Sequence, residues 1–451
     1  MTAARFIVGS CLHELAHLPA GSVDLVVTSP PFLGLRDYLD EADPLKPHEH
    51  GRVGTPLEFV HEMLDMVEAV GRVLAPHGSL VIELGDSMAG SGGAGGDYDE
   101  DGQRAGQPKP AGSAKLARQN PRYREGTPRW DRPGSGQVRS EDPVPRPTKG
   151  RRRDGEPQPR TRDVGKAARS YEDPATGRRP GVLAMRSTGP GWPDDKSLAM
   201  IPELLRIAMA YGAVPFSDRT TERWLVRNVV RWCKPNPSVG DEGDKFRRGC
   251  NDMLVATQAP DRYWDRLAAR GPSRSKAGET SPLLDWWELP TGQFRGAHHA
   301  TFPLDLVAPL IASMCPERVC TTCGQPSRRI IRKTDEYEAA RPGGGDMYAA
   351  QTGENDRGTG RNGAGGHPGG MVAAQYEHVG WTDCEHGTWR RGLVLDPYAG
   401  TGSTLSAAVG AGRDAIGIDL DHRNVELAVN RIGPMFITIE EGTSHAEPAT
   451  A

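Results

Sequence analysis

Two short strings in this chain carry residue types that could do chemistry, and they lie at opposite ends of it. The first is Thr28-Ser29-Pro30-Pro31-Phe32. It follows the β-branched run Val23-Asp24-Leu25-Val26-Val27, and a strand that stops in two prolines makes a rigid turn with the Pro30 carbonyl outside any ladder. A serine hydroxyl, a fixed carbonyl and an aromatic face can accept hydrogen bonds from an exocyclic amine while stacking on its ring. Such an amine is a weak nucleophile because its lone pair is delocalised. Bringing it to react is a matter of positioning and electrostatics, without a covalent enzyme intermediate. Taken alone, the string is read more simply as ending a strand and nothing more.

The second string is Asp396-Pro397-Tyr398-Ala399-Gly400-Thr401-Gly402-Ser403-Thr404. It follows the strand pattern Leu393-Val394-Leu395 and opens a helix. Glycines at such a turn let the backbone approach a ligand, and the carboxyl ends of parallel strands are where these folds bind cofactors. The Gly-Lys-Ser/Thr of a phosphate-cradling loop is not there. Downstream, Ile416-Gly417-Ile418-Asp419 ends the next strand in a carboxylate placed to accept from ribose hydroxyls. Each piece is common alone. Together, at one strand–helix–strand spacing, they favour an adenosine-type cofactor.

The elements that must position these strings are legible in part. Thr55-Pro56-Leu57-Glu58 has an N-cap, a first-turn proline and a capping-box glutamate. Leu57, Val60, Leu64, Val67 and Leu74 continue at helical spacing, and Pro76-His77-Gly78 is predicted to end that helix before a strand at Ser79–Leu84. A helix is predicted around Leu198–Met209, strands at Trp224–Trp232 and Asp252–Thr257, and a helix over Phe302–Met314. Ser403–Ala411, Asp414–Ile418 and Asp421–Arg431 read as helix, strand and helix.

Two stretches do not fit a packed core. Glycine (56) and proline (38) are abundant in the 451 residues, and they concentrate between Met88 and about Pro180 and again between about Arg341 and Gly370. From Asp101 to Pro180 there are 20 Lys+Arg against 10 Asp+Glu, in a chain whose totals are 55 and 59. So few aliphatic residues cannot offset the cost of ordering, and the segment is expected to be mobile in isolation. It is either a solvated insertion or a basic arm that orders on a phosphate backbone. No charged leader with an apolar run and no long apolar span is present, and the seven cysteines are too scattered for a disulfide framework. The expectation is a cytoplasmic protein, of bacterial or phage origin, without a membrane partner.

With both strings in view, the chain resembles a known family. Thr28 to Phe32, followed by Gly34-Leu35-Arg36-Asp37-Tyr38, resembles the catalytic motif of DNA amino-methyltransferases that modify cytosine N4 or adenine N6. Asp396–Thr404 resembles their cofactor motif, in which Phe is usual where this chain has Tyr398. Trp232-Cys233-Lys234-Pro235-Asn236-Pro237, Trp287-Glu288-Leu289-Pro290 and His298-His299-Ala300-Thr301-Phe302-Pro303 resemble intervening blocks. Catalytic motif first and cofactor motif last is the permuted order of the β class. The resemblance implies an α/β, Rossmann-like, S-adenosylmethionine-dependent methyltransferase core carrying two long inserts.

It implies that Ser29 and Pro30 bind the target amine, with Pro31 completing the turn and Phe32 stacking on the base. Asp396, Pro397, Tyr398, Gly400 and Gly402 would line the methionine end of the cofactor and Asp419 its ribose, with Thr301 and Phe302 closing over it. Double-stranded DNA is the implied partner, with the target base flipped out of the helix. Ser-Pro-Pro leans towards cytosine N4. The alternatives are an adenine-N6 enzyme and a DNA-binding protein that keeps the fold without turnover. The chain then divides into a catalytic half of the core (1–87), the basic insert and candidate DNA contact (88–195), continuing core (196–318), a candidate zinc-binding loop with the Gly-rich insert (319–390), the cofactor half (391–435) and a flexible tail (436–451). The interval from Trp264 to Trp287, where the family usually reads its target sequence, is short. Sequence reading is therefore expected in one of the inserts.

The cysteines add one more pattern. Cys320-Thr321-Thr322-Cys323 is a C-x-x-C pair and Cys384-Glu385-His386 follows the second insert, giving four ligand types that zinc takes tetrahedrally. The other reading is three ordinary thiols and an imidazole on a loop. Cys11, Cys233, Cys250 and Cys315 read as buried or incidental, and none sits in the Pro-Cys context of a C5-cytosine nucleophile. His13-Glu14-Leu15-Ala16-His17 matches H-E-x-x-H but lacks an evident third ligand, and is expected to form a short surface helix.

Overall fold

Strands buried on both faces are mostly apolar, and Val23–Thr28 is such a strand: all six of its residues are buried, with Asp24 and Thr28 the polar exceptions. It lies at the centre of a mixed α/β fold. The computed structural model describes residues 3–34, 38–90, 189–237, 245–272, 280–291, 302–335 and 376–443. The elements of the first part are β1 (Ala4–Val8), α1 (Cys11–His17), β2 (Val23–Thr28), α2 (Pro56–Val73) and β3 (Leu74–Leu84). Then come α3 (Ile201–Tyr211), β4 (Leu225–Cys233), β5 (Cys250–Thr257), β6 (Arg270–Pro272), β7 (Thr280–Pro282) and β8 (Trp286–Glu288). The last part holds α4 (Leu304–Met314), β9 (Arg318–Cys320), β10 (Arg329–Lys333), β11 (Tyr376–Trp381) and β12 (Trp389–Arg391). It ends with β13 (Leu393–Asp396), α5 (Ser403–Gly410), β14 (Asp414–Asp419), α6 (Asn424–Ile432) and β15 (Ile437–Glu441).

Nine described strands make one sheet, in the order β15-β1-β14-β13-β2-β3-β5-β4-β8. From β15 to β3 every pairing is parallel, whereas β5 is antiparallel to both β3 and β4. Helices cover both faces. On one side α1, α2 and α3 pack with Leu15, Phe59, Met63 and Leu205 buried, and on the other α4 and α5 pack with Leu310, Ile311 and Leu405 buried. This is the Rossmann-like architecture implied by the motif order. Among the described residues no helix is long and apolar enough to cross a membrane.

The predicted capping box forms: Glu58 N–H donates to Thr55 Oγ1 at 3.2 Å and Thr55 N–H to Glu58 Oε2 at 2.9 Å. The predicted end of that helix does not. Pro76-His77-Gly78 lies inside β3, which begins directly at Leu74. The register shows why a strand tolerates this: Val23 faces Leu74 but Leu25 already faces Ser79, so the three residues form a bulge. Proline has no N–H to lose there, and the bulge turns His77 Nε2 onto Asp24 Oδ1 at 2.9 Å.

Two further expectations are corrected. The tail expected to be flexible from 436 instead supplies β15, which pairs parallel with β1 and is held by an Arg5–Glu440 ion pair at 2.7 Å. α1 is less of a surface helix than expected, because Glu14 and Leu15 are buried and Thr443 Oγ1 lies 3.3 Å from both oxygens of Glu14. Of the cysteines read as buried or incidental, Cys11 and Cys315 are buried, whereas Cys233 is half-buried and Cys250 exposed, facing each other across β4 and β5 with their sulfurs 2.8 Å apart. The Gly-rich insert at 341–370, and the basic insert apart from its ends, lie outside the described residues. Those ends are joined: Met88 bridges Leu198, and Ala89 N–H donates to the Ser197 carbonyl at 2.9 Å.

Candidate active site

β13 and β2 are neighbours, with Val394 opposite Leu25 and Leu395 opposite Val26. The chain leaves β13 towards β14 and leaves β2 towards β3, in opposite directions along the sheet. Such a reversal opens a crevice beyond the strands' carboxyl ends, where this architecture binds ligands. Both chemical strings therefore arrive at one place. Thr28 Oγ1 donates to Asp396 Oδ1 at 2.7 Å, a bond between residues 368 apart in the chain. The cleft above it opens to solvent and spans about 810 Å³ with that open space included, and its walls include Ser29, Pro31, Tyr398, Gly400, Thr401 and Asp419.

Asp396 lies behind the cleft rather than on its wall. Thr404 Oγ1 donates to its other oxygen at 2.6 Å and Tyr398 N–H reaches Oδ1 at 3.1 Å. Burial raises its pKa to about 6, partly offset by those three donors and reinforced by the charge of Asp419. Asp419 accepts from Gly400 N–H at 2.7 Å, Asp421 N–H at 2.9 Å and Asn424 Nδ2 at 2.9 Å. Burial pushes its pKa to about 6 as well, against those donors and with the Asp421 charge adding to the rise. The glycine turn needs its glycines: Gly400 and Gly402 have φ of 50° and 75°. Gly417 is required for another reason, since a Cβ there would stand 2.7 Å from Ala399 Cβ.

On the opposite wall, Ser29 Oγ donates to Glu83 Oε2 at 2.6 Å, and Asn251 Nδ2 donates to Glu83 Oε1. Glu83 is buried at the end of β3. Lys234 lies near enough for the Glu83 charge to raise its pKa, although burial outweighs this and leaves it lowered. The Lys234 ammonium sits over the Trp232 ring, 4.3 Å from its centroid.

The remaining predicted residues divide. Pro397 lines the cleft, Pro30 is buried beside it, and the Phe32 ring packs so closely on Gly85 that a Cβ at 85 would lie 2.8 Å from it. Gly402 caps α5, and Phe302 packs against the core on the α4 side of the sheet; neither is a wall residue. Thr301 and His298–Ala300 lie outside the described residues, as do Leu35–Asp37.

Sequence reasoning missed several wall residues. The Tyr398 hydroxyl lies 2.5 Å from His50 Nδ1 and accepts from Cys11 Sγ at 3.4 Å. Burial lowers the His50 pKa. Tyr38 N–H donates to Glu49 Oε1 at 2.6 Å, and buried Glu49 is paired with buried Lys46 at 2.9 Å. Arg423 ties this loop across the cleft, donating to the Tyr38 carbonyl and to Asp421. No local pattern marks His50 or Glu49; the Asp419-Leu420-Asp421 spacing was the one usable signal.

The sheet order and a cleft walled by both strings define a Rossmann-like core with a ligand crevice at its strand-order reversal. The family described as DNA methylase matches residues 384–430, a block that holds the glycine turn and Asp419. The chain is 23% identical over 312 residues to the type II methyltransferase M.Cfr9I of Citrobacter freundii, covering 69% of this chain and 72% of that relative. It is 24% identical over 303 residues to M.XycI of Xanthomonas campestris pv. cyanopsidis, covering 67% and 70%. Among solved structures it is similar to PvuII DNA methyltransferase (cytosine-N4-specific), with 12% identity and a TM-score of 0.43 over 98% of this chain and 95% of that one. In these comparisons the chain is similar to the DNA amino-methyltransferases of the N4/N6 family, and its two strings stand in the β-class order.

The cofactor of that family is S-adenosylmethionine, and the cleft suits it. Thr401 Oγ1 and Asn424 Oδ1 are buried at the cleft without a hydrogen-bond partner among the described residues, polar atoms that a bound ligand can satisfy. Two carboxyl groups stand behind and beside them for a cationic ligand.

Proposed function

We propose that this protein methylates the exocyclic N4 amine of cytosine in double-stranded DNA, on a base turned out of the helix into the cleft. The observation that carries the reading is the Thr28–Asp396 bond at 2.7 Å, which locks the amine-binding turn to the cofactor turn. S-adenosylmethionine, held by Gly400, Thr401, Asp419 and Asn424, supplies an electrophilic methyl group.

The protein's own part is placement and proton handling. Because Ser29 donates its hydroxyl hydrogen to Glu83, its oxygen lone pairs remain free to accept from the amine, beside the Pro30 carbonyl. Nitrogen gains positive charge as it attacks, and two fixed acceptors on its hydrogens favour that charge. The product nitrogen must then lose a proton. Glu83, reached through the Ser29 hydroxyl, is the buried carboxylate nearest that path. Phe32, on the same turn, stacks on the base. Serine at position 29 supports cytosine over adenine, and the basic segment 101–180 supports a DNA contact outside the core.

The test is to incubate the protein with duplex DNA and labelled S-adenosylmethionine, then hydrolyse the DNA and separate its nucleosides. N4-methylcytosine is expected. N6-methyladenine alone would reverse the choice of base, and no methylated nucleoside on any duplex would refute the reading. Ser29→Ala should bind cofactor normally yet lose about 100-fold in kcat, the scale of removing one preorganised hydrogen-bonding group.

A further inference from the structure

We propose that Cys320, Cys323, Cys384 and His386 form a structural zinc site that clasps the start of the cofactor half of the sheet. The inference stands apart from the proposed reaction, because none of these residues lines the cleft.

Two backbone knuckles bring the four together. In the first, Cys320–Gly324, the Thr322 and Cys323 N–H groups donate to Cys320 Sγ at 3.3 and 3.4 Å. Gly324 closes it with φ of 71° and an N–H bond to the Cys320 carbonyl at 3.0 Å. In the second, Glu385 and Gly387 take φ of 66° and 69° on either side of His386, turning the chain tightly between Cys384 and β12. β9 and β12 hold the knuckles in register, with Cys320 opposite Trp389. Thr321 N–H donates to the Thr388 carbonyl at 3.1 Å and its hydroxyl to Thr388 Oγ1 at 2.8 Å.

The resulting donor atoms lie within 4.8 Å of one another. Cys320 Sγ is 3.6 Å from His386 Nδ1. Zinc bound at about 2.3 Å to sulfur and about 2.05 Å to nitrogen, with tetrahedral angles, needs a sulfur–nitrogen edge of about 3.6 Å. That edge is met. No pair is wider than 4.8 Å, so a closure of about 1 Å brings any of them to a tetrahedral edge of about 3.6–3.8 Å. All three cysteines are free thiols. Four protein donors leave no open coordination position, so the role is structural, as in other Cys₃His sites.

The clasp has a place in the fold. β12 runs through Gly392 into β13, the strand that ends at Asp396. Arg390 of β12 pairs with the buried Asp24 of β2 at 2.5 Å. Metal binding at the knuckles therefore restrains both strands that end at the cleft.

The test uses the full-length protein purified without chelator and passed over a metal-scavenging resin. One zinc per chain by plasma mass spectrometry is expected, with release of that zinc as a thiol-specific mercurial titrates the protein. The cobalt-substituted protein should show the ligand-field absorption of tetrahedral thiolate coordination. Cys384→Ser should lose the zinc, whereas Cys250→Ser should keep it. If Cys384→Ser does not fold, the mercurial titration and the cobalt spectrum of the unaltered chain decide. A folded protein without stoichiometric zinc, a disulfide among the three cysteines, or zinc retained by Cys384→Ser would overturn the proposal.

Discussion

If the cleft holds the cofactor as proposed, two buried carboxyl groups, Asp419 on its wall and Asp396 behind it, should make cofactor binding a titratable event. Asp396 and Asp419 each have a pKa raised from 3.8 to about 6 by burial. In the free, folded protein each holds its proton up to about pH 6, whereas in the unfolded chain it is released near the ordinary carboxylate value. The stability contribution of each is therefore present below that ordinary value and is lost as pH rises towards 6, amounting to about 3 kcal/mol per group once ionised. A ligand carrying a sulfonium and an ammonium charge favours the ionised carboxylates and pulls both pKa values down.

Suppose the complex needs both groups ionised. Between about pH 7 and about pH 5 each free carboxyl goes from roughly one-tenth to roughly nine-tenths protonated, so each lowers the affinity about 10-fold, and the pair about 100-fold. Because the Asp419 charge raises the Asp396 pKa, the protons leave in two steps that belong to the pair. Titration calorimetry in buffers of different ionisation enthalpy measures both the affinity and the protons released. Near pH 6 about one proton should leave per cofactor bound. Asp419→Asn should cut the pH effect to about 10-fold. An affinity that is flat across this range, with no proton release, would refute the argument that these carboxyls sense the ligand's charge.

Two further perturbations probe the frame around the cleft. Asp24 is fully buried and accepts from His77 at 2.9 Å, from Arg390 at 2.5 and 3.0 Å and from Leu393 N–H at 2.7 Å. Asp24→Ala strands those partners and should cost about 3–5 kcal/mol, lowering Tm by roughly 10 °C in a calorimetric melt; a change under about 2 °C would show the network to be dispensable. Gly417→Ala places a Cβ 2.7 Å from Ala399 Cβ and 2.8 Å from Leu405 Cδ1. It should destabilise by about 1–3 kcal/mol and weaken cofactor binding through the displaced 398–402 turn; wild-type stability and affinity would refute the packing argument.

What the sequence disclosed follows from how local each determinant is. The capping box at Thr55 and Glu58 and the glycine turn at 400–402 are set by residues a few positions apart, and both form as expected. Pro76-His77-Gly78 misleads because its local preference is to break structure. Its fate is decided by β2, which supplies Asp24 as a partner for His77 and a register that absorbs three extra residues. β15 carries an alternating Ile437-Thr438-Ile439 pattern too short to stand out. Its pairing with β1, at the other end of the chain, is what makes it a strand. The cleft divides in the same way: Ser29 and Asp419 sit in strings that announce themselves, while His50 and Glu49 arrive on a loop held by Lys46 and Arg423.

The positions of the inserts then have a physical reading. A permuted core places its two chemical strings at the two ends of the chain, so everything between them must return to the same crevice. Lengthening a closed loop costs little, about 0.6 kcal/mol for each doubling, provided its stem stays shut. Both long excursions leave from shut stems. The first is joined by the Met88–Leu198 bridge, and the second leaves from β10 and returns on β11, antiparallel to it and beside the Cys320–His386 knuckles. Neither stem contributes a residue to the cleft wall. The chain can therefore vary in length beyond each stem while the Thr28–Asp396 bond keeps the two halves of the site in register.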